Sequence, residues 1–413
     1  MLLSLFSSPW FSVAIIAVSY IGIAAGEIPR LRTNRTVIAL LGVGLLLIFQ
    51  KLKMEQLSAY IDIDTIVLLF SMMILNANLR LSGFFQLAAN QVLKYSRSPR
   101  TLLAAIILLS AVLSAIFLND TICIILTPFI IDLTRNLKRD PIPYLIALAT
   151  AANIGSTATL TGNPQNMIIG VASGISYLKF AAALTPIALI SSMGIWVVLV
   201  LYYPQEFKKE VFTQPVQRKI RIYKPLLLKS TLVILLLLTL FLSGVSIALA
   251  AFLAACLLLI TRRIKPEKVF AEFDWGLLVF FSALFILTGV LNDTGVIRDL
   301  FLQYNLGESI NLISLSTGSI VLSNLVSNVP AVLLIKPFIS HLANPIPAWL
   351  TLASSATLAG NLTLLGSVAN LIVAESARHR NIALSFWEYT RAGILITIFS
   401  LVVHFLWIHY FIW

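Results

Sequence analysis

Asn153-Ile-Gly-Ser-Thr-Ala-Thr-Leu-Thr-Gly-Asn-Pro-Gln-Asn166 is an uncharged run of small hydroxyl and amide residues set between the apolar stretches 144–152 and 167–172. Gly155, Gly162 and Pro164 are expected to break a helix running through it. Lipid offers nothing to unwound N–H and C=O groups, so such a break survives at membrane depth only inside protein or against a cavity. A polar break in a hydrophobic span is therefore the first place to expect a binding site. Its core pattern recurs roughly two hundred residues later: Thr159-Leu160-x-Gly162-x-x-x-Asn166 returns as Thr363-Leu364-x-Gly366-x-x-x-Asn370. Two breaks in corresponding places suggest two related halves.

The surrounding chain supports a membrane setting. It has 413 residues, of which 59% are hydrophobic and 11% charged, against roughly 25% charged in soluble domains. Its mean hydropathy is +0.95. The short alternating segments of membrane β-barrels do not dominate, so the expected class is an all-α polytopic membrane protein. The net charge of +12 is read as topology rather than as a nucleic-acid surface. Cys123 and Cys256 lie in apolar runs and imply no disulfide framework. The first eight residues lack a basic region and a small-residue cleavage site, so no cleaved signal peptide is expected.

Apolar segments long enough to span, about 20 residues each, fall at 9–26, 36–50, 64–79, 101–133, 143–178 and 182–203. A polar, cytoplasmic linker at 204–229 follows. The second set is 230–243, 246–261, 275–292, 312–339, 347–377 and 392–413. The order in each half is three spans, a split segment, a broken span and a final span. The expectation is two inverted repeats, 1–203 and 230–413. Each carries a re-entrant hairpin (101–133, 312–339) and a broken transmembrane helix (143–178, 347–377). With the N-terminus outside, the loops assigned to the cytoplasm hold all but five of the 29 Lys and Arg residues; only Lys51, Lys53, Lys179, Arg298 and Lys336 fall elsewhere. Reading 101–133 as one crossing would destroy that positive-inside bias.

Four polar spots emerge. The first hairpin tip is Asn119-Asp120-Thr121. A carboxylate near the midplane costs about 2.5–3.5 kcal/mol on insertion scales, so Asp120 should meet a cation, a proton or a hydrogen-bond network, unless it merely caps the following helix. The second tip is Ser327-Asn328, where Asn328 also fits a cap with Pro330 in the first turn. The two breaks contribute Asn153, Gly155, Ser156, Thr157, Thr159, Gly162, Asn163 and Asn166, then Gly360, Asn361, Thr363, Gly366, Ser367 and Asn370. Neutral oxygens suit a weakly held Na⁺, and half-helix N-termini suit an anion. The competing reading is a small-residue packing surface, which has no need of so many amides.

Other residues take plainer readings. Asn292-Asp293-Thr294 repeats the letters of the first tip but sits at a span end, so Asp293 is expected at the interface. Lys336 is expected to snorkel, and Cys123 to act as a small hydrophobe. The four histidines lie near segment ends without metal spacing. The tryptophans other than Trp196 are expected to anchor the membrane interface. No metalloprotease, Walker A or nucleophile-elbow pattern occurs, so neither an intramembrane enzyme nor a nucleotide site is expected.

The patterns Asn-Asp-Thr-(x)5-Thr-Pro at 119–128, Asn-Ile-Gly-Ser-Thr-Ala-Thr-Leu-x-Gly-Asn-Pro-Gln-Asn at 153–166 and Gly-Asn-x-Thr-Leu-x-Gly-Ser-x-Ala-Asn at 360–370 resemble the ion transporter superfamily. This group comprises ArsB-like arsenite permeases, citrate and divalent-anion symporters, and D-type sodium/proton antiporters. The opening at 20–42 is most similar to bacterial anion permeases. The resemblance implies a homodimeric scaffold in the bilayer of an inner or plasma membrane, and an elevator-like transport domain. It also implies secondary transport of a small anion or oxyanion (arsenite, an inorganic anion or a carboxylate such as citrate) coupled to Na⁺ or H⁺. No other cofactor is expected, and an external ATPase subunit stays open as a partner. In symporter relatives a Ser-Asn-Thr tip and the facing broken helix form each sodium site. Carried over, the tips are Asn119, Asp120, Thr121 and Ser327, Asn328, Val329. Asp120 and Val329 depart from that pattern. An acidic tip fits proton coupling, cation binding or a neutral substrate such as arsenous acid better than a bare dianion site. A sodium/proton antiporter and a passive channel are the alternatives.

Overall fold

The computed structural model describes residues 8–25, 33–49, 51–208, 212, 222–260, 264–303, 311–339, 342 and 344–412. Residues 209–211 and 213–221 of the stretch read as linker, together with His341 and Trp413, lie outside this set. Among the described residues there is no strand. Helices of eight residues or more are α1 (Pro9–Ala25), α2 (Arg35–Ile48), α3 (Ile63–Ser82), α4 (Phe84–Leu93), α5 (Pro99–Ile116), α6 (Asn119–Asn136), α7 (Pro141–Ser156), α8 (Pro164–Ser173) and α9 (Tyr177–Tyr202). They continue as α10 (Lys224–Leu242), α11 (Ile247–Leu259), α12 (Trp275–Asp293), α13 (Val296–Gln303), α14 (Leu312–Val326), α15 (Asn328–Ile339), α16 (Pro345–Ala359), α17 (Val368–Arg378) and α18 (Phe386–Phe411). Six of these are long and apolar enough to cross a membrane.

Burial runs opposite to a soluble protein. Large apolar side chains such as Ile21, Met193, Leu201 and Leu232 are exposed on the outer helices, while Asn153, Asn163, Asn166, Asn361 and Asn370 are fully buried. The broken segments are central. Every residue of α7 from Pro143 to Ser156 is buried, as is every residue of α16 from Ala348 to Ala359, which is the mark of a helix surrounded by others. α7 packs on α5, and α16 on α14. Hairpin and break also pack across the halves: α6 lies on α17, and α8 on α15 and α16.

Both split segments turn back as helix pairs. Ser98 caps α5 by accepting from the Thr101 N–H, with Pro99 in the first turn, a start signal legible in sequence. The chain extends at Phe117 and re-enters a helix at Asn119. The first break spans 157–163, with Asn163 capping α8 through the Asn166 N–H at 2.8 Å. The second spans 360–367, with Ser367 capping α17.

Several expectations need correction. Gly155 does not break the helix; it lies within α7. Its role is close approach, because a Cβ there would overlap the backbone carbonyl and Cα of Ala111 on α5. The packing reading is therefore right for this glycine. We expect Gly155→Ala to force α5 and α7 apart at a cost of about 1–3 kcal/mol, the usual range for overpacking. Thermal melting in detergent checks this, and a variant melting with the wild type would show that the two helices tolerate a wider separation. α10 starts at Lys224, inside the stretch read as linker. Its Lys229 Nζ donates to the Leu258 and Ile260 carbonyls (3.1 and 2.6 Å), satisfying the C-terminal end of α11. Residues 84–93, read as loop, form α4. Trp349 is buried rather than interfacial. His404 is buried inside α18, with its two ring nitrogens bonded to Ser316 on α14 and Ser354 on α16 (3.0 and 2.9 Å).

Candidate functional site

The repeated motif acts as a repeated hydrogen-bond device. Asn166 Nδ2 donates to the carbonyls of Ser156 and Thr159 (3.0 and 2.9 Å). Asn370 Nδ2 donates to those of Gly360 and Thr363 (2.8 and 3.0 Å). The sequence offsets are identical, so each asparagine closes its own break by taking up two carbonyls that left a helix. Hydroxyls do similar work: Ser156 and Thr157 donate back to the Asn153 carbonyl (2.8 and 3.3 Å), and Thr159 donates to the Ala115 carbonyl on α5. Asn163 Nδ2 bonds Ser156 Oγ at 2.9 Å. A Cβ on Gly162 would overlap the carbonyl and Cα of Ser156 and the Ser114 carbonyl, so only glycine fits there. Its own carbonyl accepts from the Asn119 N–H at 3.0 Å, anchoring the first tip.

Asn153 is the hub. Its Nδ2 donates to Asn361 Oδ1 (2.9 Å) and Asn370 Oδ1 (3.0 Å). Its Oδ1 accepts from Asn119 Nδ2 (3.1 Å) and Ser367 Oγ (3.0 Å). These are all four bonds an asparagine side chain can make, and they join the first tip, the first broken helix and the second break. The orientations are mutually fixed. Asn370 Nδ2 is spent on two carbonyls, so its oxygen must face Asn153; the Asn153 oxygen then faces Asn119. The chain of amides thus ends at the first tip with Asn119 Oδ1, which is buried and has no hydrogen-bond partner. Asn328 Oδ1 at the second tip is in the same condition.

Both of these residues line a cavity of about 530 Å³. Its wall includes Asp120, Pro164, Gln165, Ser327 and Ser367, so it gathers both tips, the start of α8 and the end of the second break. Gly155, Ser156, Thr157, Thr159, Gly162, Asn163, Asn166, Asn153, Gly360, Asn361, Thr363, Gly366 and Asn370 stand behind this wall as its frame. Thr121 is also off the wall and accepts from Asn76 Nδ2 at 3.5 Å. Asp120 sits in the first turn of α6, where the helix dipole favours a negative charge, and among the described residues its carboxylate has no hydrogen-bond or ion-pair partner. Ser327 links α14 to α15 at φ 77°, ψ 161°, a region used almost only by glycine and costing about 1–3 kcal/mol. The second tip therefore holds backbone strain beside the cavity.

Sequence reasoning missed several wall residues. Arg35, counted only toward topology, lines the cavity, as do Asp274 at the start of α12 and Phe280 and Phe281. Asn324 was also missed: its Nδ2 donates to the Ala359 carbonyl at 3.2 Å, tying α14 to the second break. Thr357 receives Gln165 Nε2 at 3.1 Å across the halves. No local pattern marks these positions, because each depends on which helix ends fold together. Asp293 lies off the cavity and accepts from the Tyr60 hydroxyl at 2.6 Å. Partial burial, and then that bond and charge, push the Tyr60 phenol up to about 12. Lys336 pairs with Asp62 at 3.6 Å, tying α15 to the cap of α3.

Comparison with known proteins agrees with this architecture. The citrate transporter (CitMHS) family model matches residues 20–353. The silicon efflux transporter LSI3 of Oryza sativa subsp. japonica is 31% identical, covering 89% of this chain and 91% of that protein. A 46 kDa membrane protein of Mycobacterium leprae is 30% identical over 97% of this chain and 100% of its own length. The putative transporter arsB of Dictyostelium discoideum is 25% identical over 96% of this chain and 91% of that protein. The crystal structure of the Alcanivorax borkumensis YdaH transporter shares the fold, with a TM-score of 0.62 at 13% identity, covering 98% of this chain and 96% of that one. With most of its length matched by one family model and its polar breaks buried among apolar helices, this multi-pass integral membrane protein belongs to the citrate transporter family of membrane transporters.

Proposed function

We propose that the protein is a secondary active transporter for a small anion or oxyanion, driven by a gradient of Na⁺ or H⁺. The observation that carries this reading is the cavity where the two tips meet, with the unpartnered Asp120 carboxylate and two unpartnered amide oxygens, Asn119 Oδ1 and Asn328 Oδ1. Oxygen acceptors without donors suit a weakly held cation or a bound proton, and a cation so held would lower the cost of admitting an anion. A substrate among small carboxylates, oxyanions or their protonated forms is favoured by likeness to a citrate transporter family and to a silicon efflux transporter. The first tip, the first broken helix and the second break are cross-bonded through Asn153, and Asn324 ties the second hairpin to its break, so they would move as one body past α1, α2 and α12, in elevator fashion and within an inverted-repeat dimer. The cavity reaches residues 34–36 and 274–276, which the positive-inside pattern puts on the cytoplasmic side.

A sodium/proton antiporter is the second reading, favoured by the same unpaired Asp120. Reconstituted protein separates the two. Citrate, succinate, sulfate, phosphate, arsenous acid and silicic acid would each be offered with an imposed Na⁺ gradient or pH gradient. Uphill accumulation of one solute is the expected result and identifies the coupling ion at the same time. If no solute moves while Na⁺ alone shifts the internal pH, the antiporter replaces it.

A further inference from the structure

The cavity wall outside the tips carries a charge that the transport reading leaves unused. Arg35 is the first residue of α2, just after the cap Asn34, whose Oδ1 is already spent on the Val37 N–H at 3.0 Å. Thr36 Oγ1 donates to the Gly276 carbonyl at 3.2 Å, fixing the start of α2 against the start of α12. Arg35 thus lines the cavity from backbone that is itself tied down. Among the described residues it makes no hydrogen bond and no ion pair. Asp274 also lines the cavity, but its carboxylate accepts from the Leu277 N–H at 3.1 Å as the cap of α12 and is not within ion-pair distance of Arg35. Asp120, the third charged wall residue, is likewise not paired with it.

A half-buried guanidinium with five unused donors is costly to keep in a cleft. Arginine remains charged at any physiological pH, and its planar fork matches the paired oxygens of a carboxylate or oxyanion. The tips lining the same cavity offer acceptor oxygens, Asn119 Oδ1 and Asn328 Oδ1, which cannot bind an anion but can bind a cation or the protonated end of a substrate. We propose that Arg35 is the anion receptor of the cavity, binding one carboxylate or oxyanion group while the tips take the coupling cation. This rests on the transport reading and narrows it. The substrate is a charged carboxylate or oxyanion rather than an uncharged hydroxide such as silicic or arsenous acid at neutral pH, and its receptor lies outside both tips and both breaks.

The test uses full-length wild type, Arg35→Gln and Arg35→Lys in proteoliposomes at pH 7, with KM and maximal rate measured for each of the six solutes named above. Loss of a charge-assisted bond predicts a rise in KM of about 10–100-fold in Arg35→Gln for an anionic solute, with a smaller rise in Arg35→Lys, which keeps the charge and loses the fork. A structural role would instead lower the maximal rate and the melting temperature without this graded change in KM. If Arg35→Gln does not fold, Arg35→Lys decides alone: a raised KM supports the inference and an unchanged KM overturns it. Wild type that moves only the uncharged hydroxides overturns the inference and leaves the transport reading standing. Wild type that moves none of the six overturns both.

Discussion

Asn153→Ala is expected to unfold the centre of the molecule. The substitution strands Asn361 Oδ1 and Asn370 Oδ1 without donors, and Asn119 Nδ2 and Ser367 Oγ without their shared acceptor. Each buried polar group left unpaired costs about 1–3 kcal/mol. The terms do not add fully within one network, so a loss of about 3–6 kcal/mol is expected. Asn153→Asp should be at least as damaging, since an ionised carboxylate would set acceptors against two amide oxygens. Thermal melting of purified protein in detergent reads both. A melting temperature for Asn153→Ala equal to wild type would mean that the amides re-pair without it, and the hub would lose its structural role.

Asp120→Asn is expected to do the reverse, sparing the fold and removing the coupling. No ion pair is lost, the residue stays in the first turn of α6, and the lost interaction with the helix dipole costs only about 0.3–1 kcal/mol. The carboxylate is the one ionisable group at either tip, so its neutralisation should reduce gradient-driven accumulation to the equilibrium level. Exchange of solute down its own gradient should continue. Counterflow and net accumulation, measured on the same vesicles at several pH values, separate the two processes. Retained accumulation with an unchanged pH profile would remove Asp120 from the coupling step.

Much of this arrangement was legible in the chain because it is written locally. Start signals such as Ser98-Pro99, the helix-terminating break at 157–163 and the Asn-Asp tip all lie within a few residues of what they determine. The recurrence of Thr-Leu-x-Gly-x-x-x-Asn identified both breaks, and the two final asparagines do make matching bonds. The pattern did not separate wall from frame: Asn119, Asn328 and Ser367 face the cavity, whereas Asn163 and Asn166 support it from behind. That distinction depends on which neighbour consumes each donor. Gly155 was misread because glycine lowers helix propensity, yet close approach to Ala111 outweighs a cost of about 1 kcal/mol. Arg35 and Asp274 were hidden because their meaning arises only when two helix starts, some 240 residues apart in sequence, come together through Thr36 and Gly276.

The Asn153 hub also sets an order of events during synthesis. Its partner Asn361 is made 208 residues later, and at about 5–20 residues per second that interval is roughly 10–40 seconds. Throughout it, the nascent first half sits in the bilayer with a central amide whose two donors have no permanent acceptor. The early half is therefore a client that must be sheltered, by water at the insertion machinery or by provisional contacts, until the late half arrives to complete it. Translation pauses and chaperone occupancy between these two points would act directly on the yield of assembled protein.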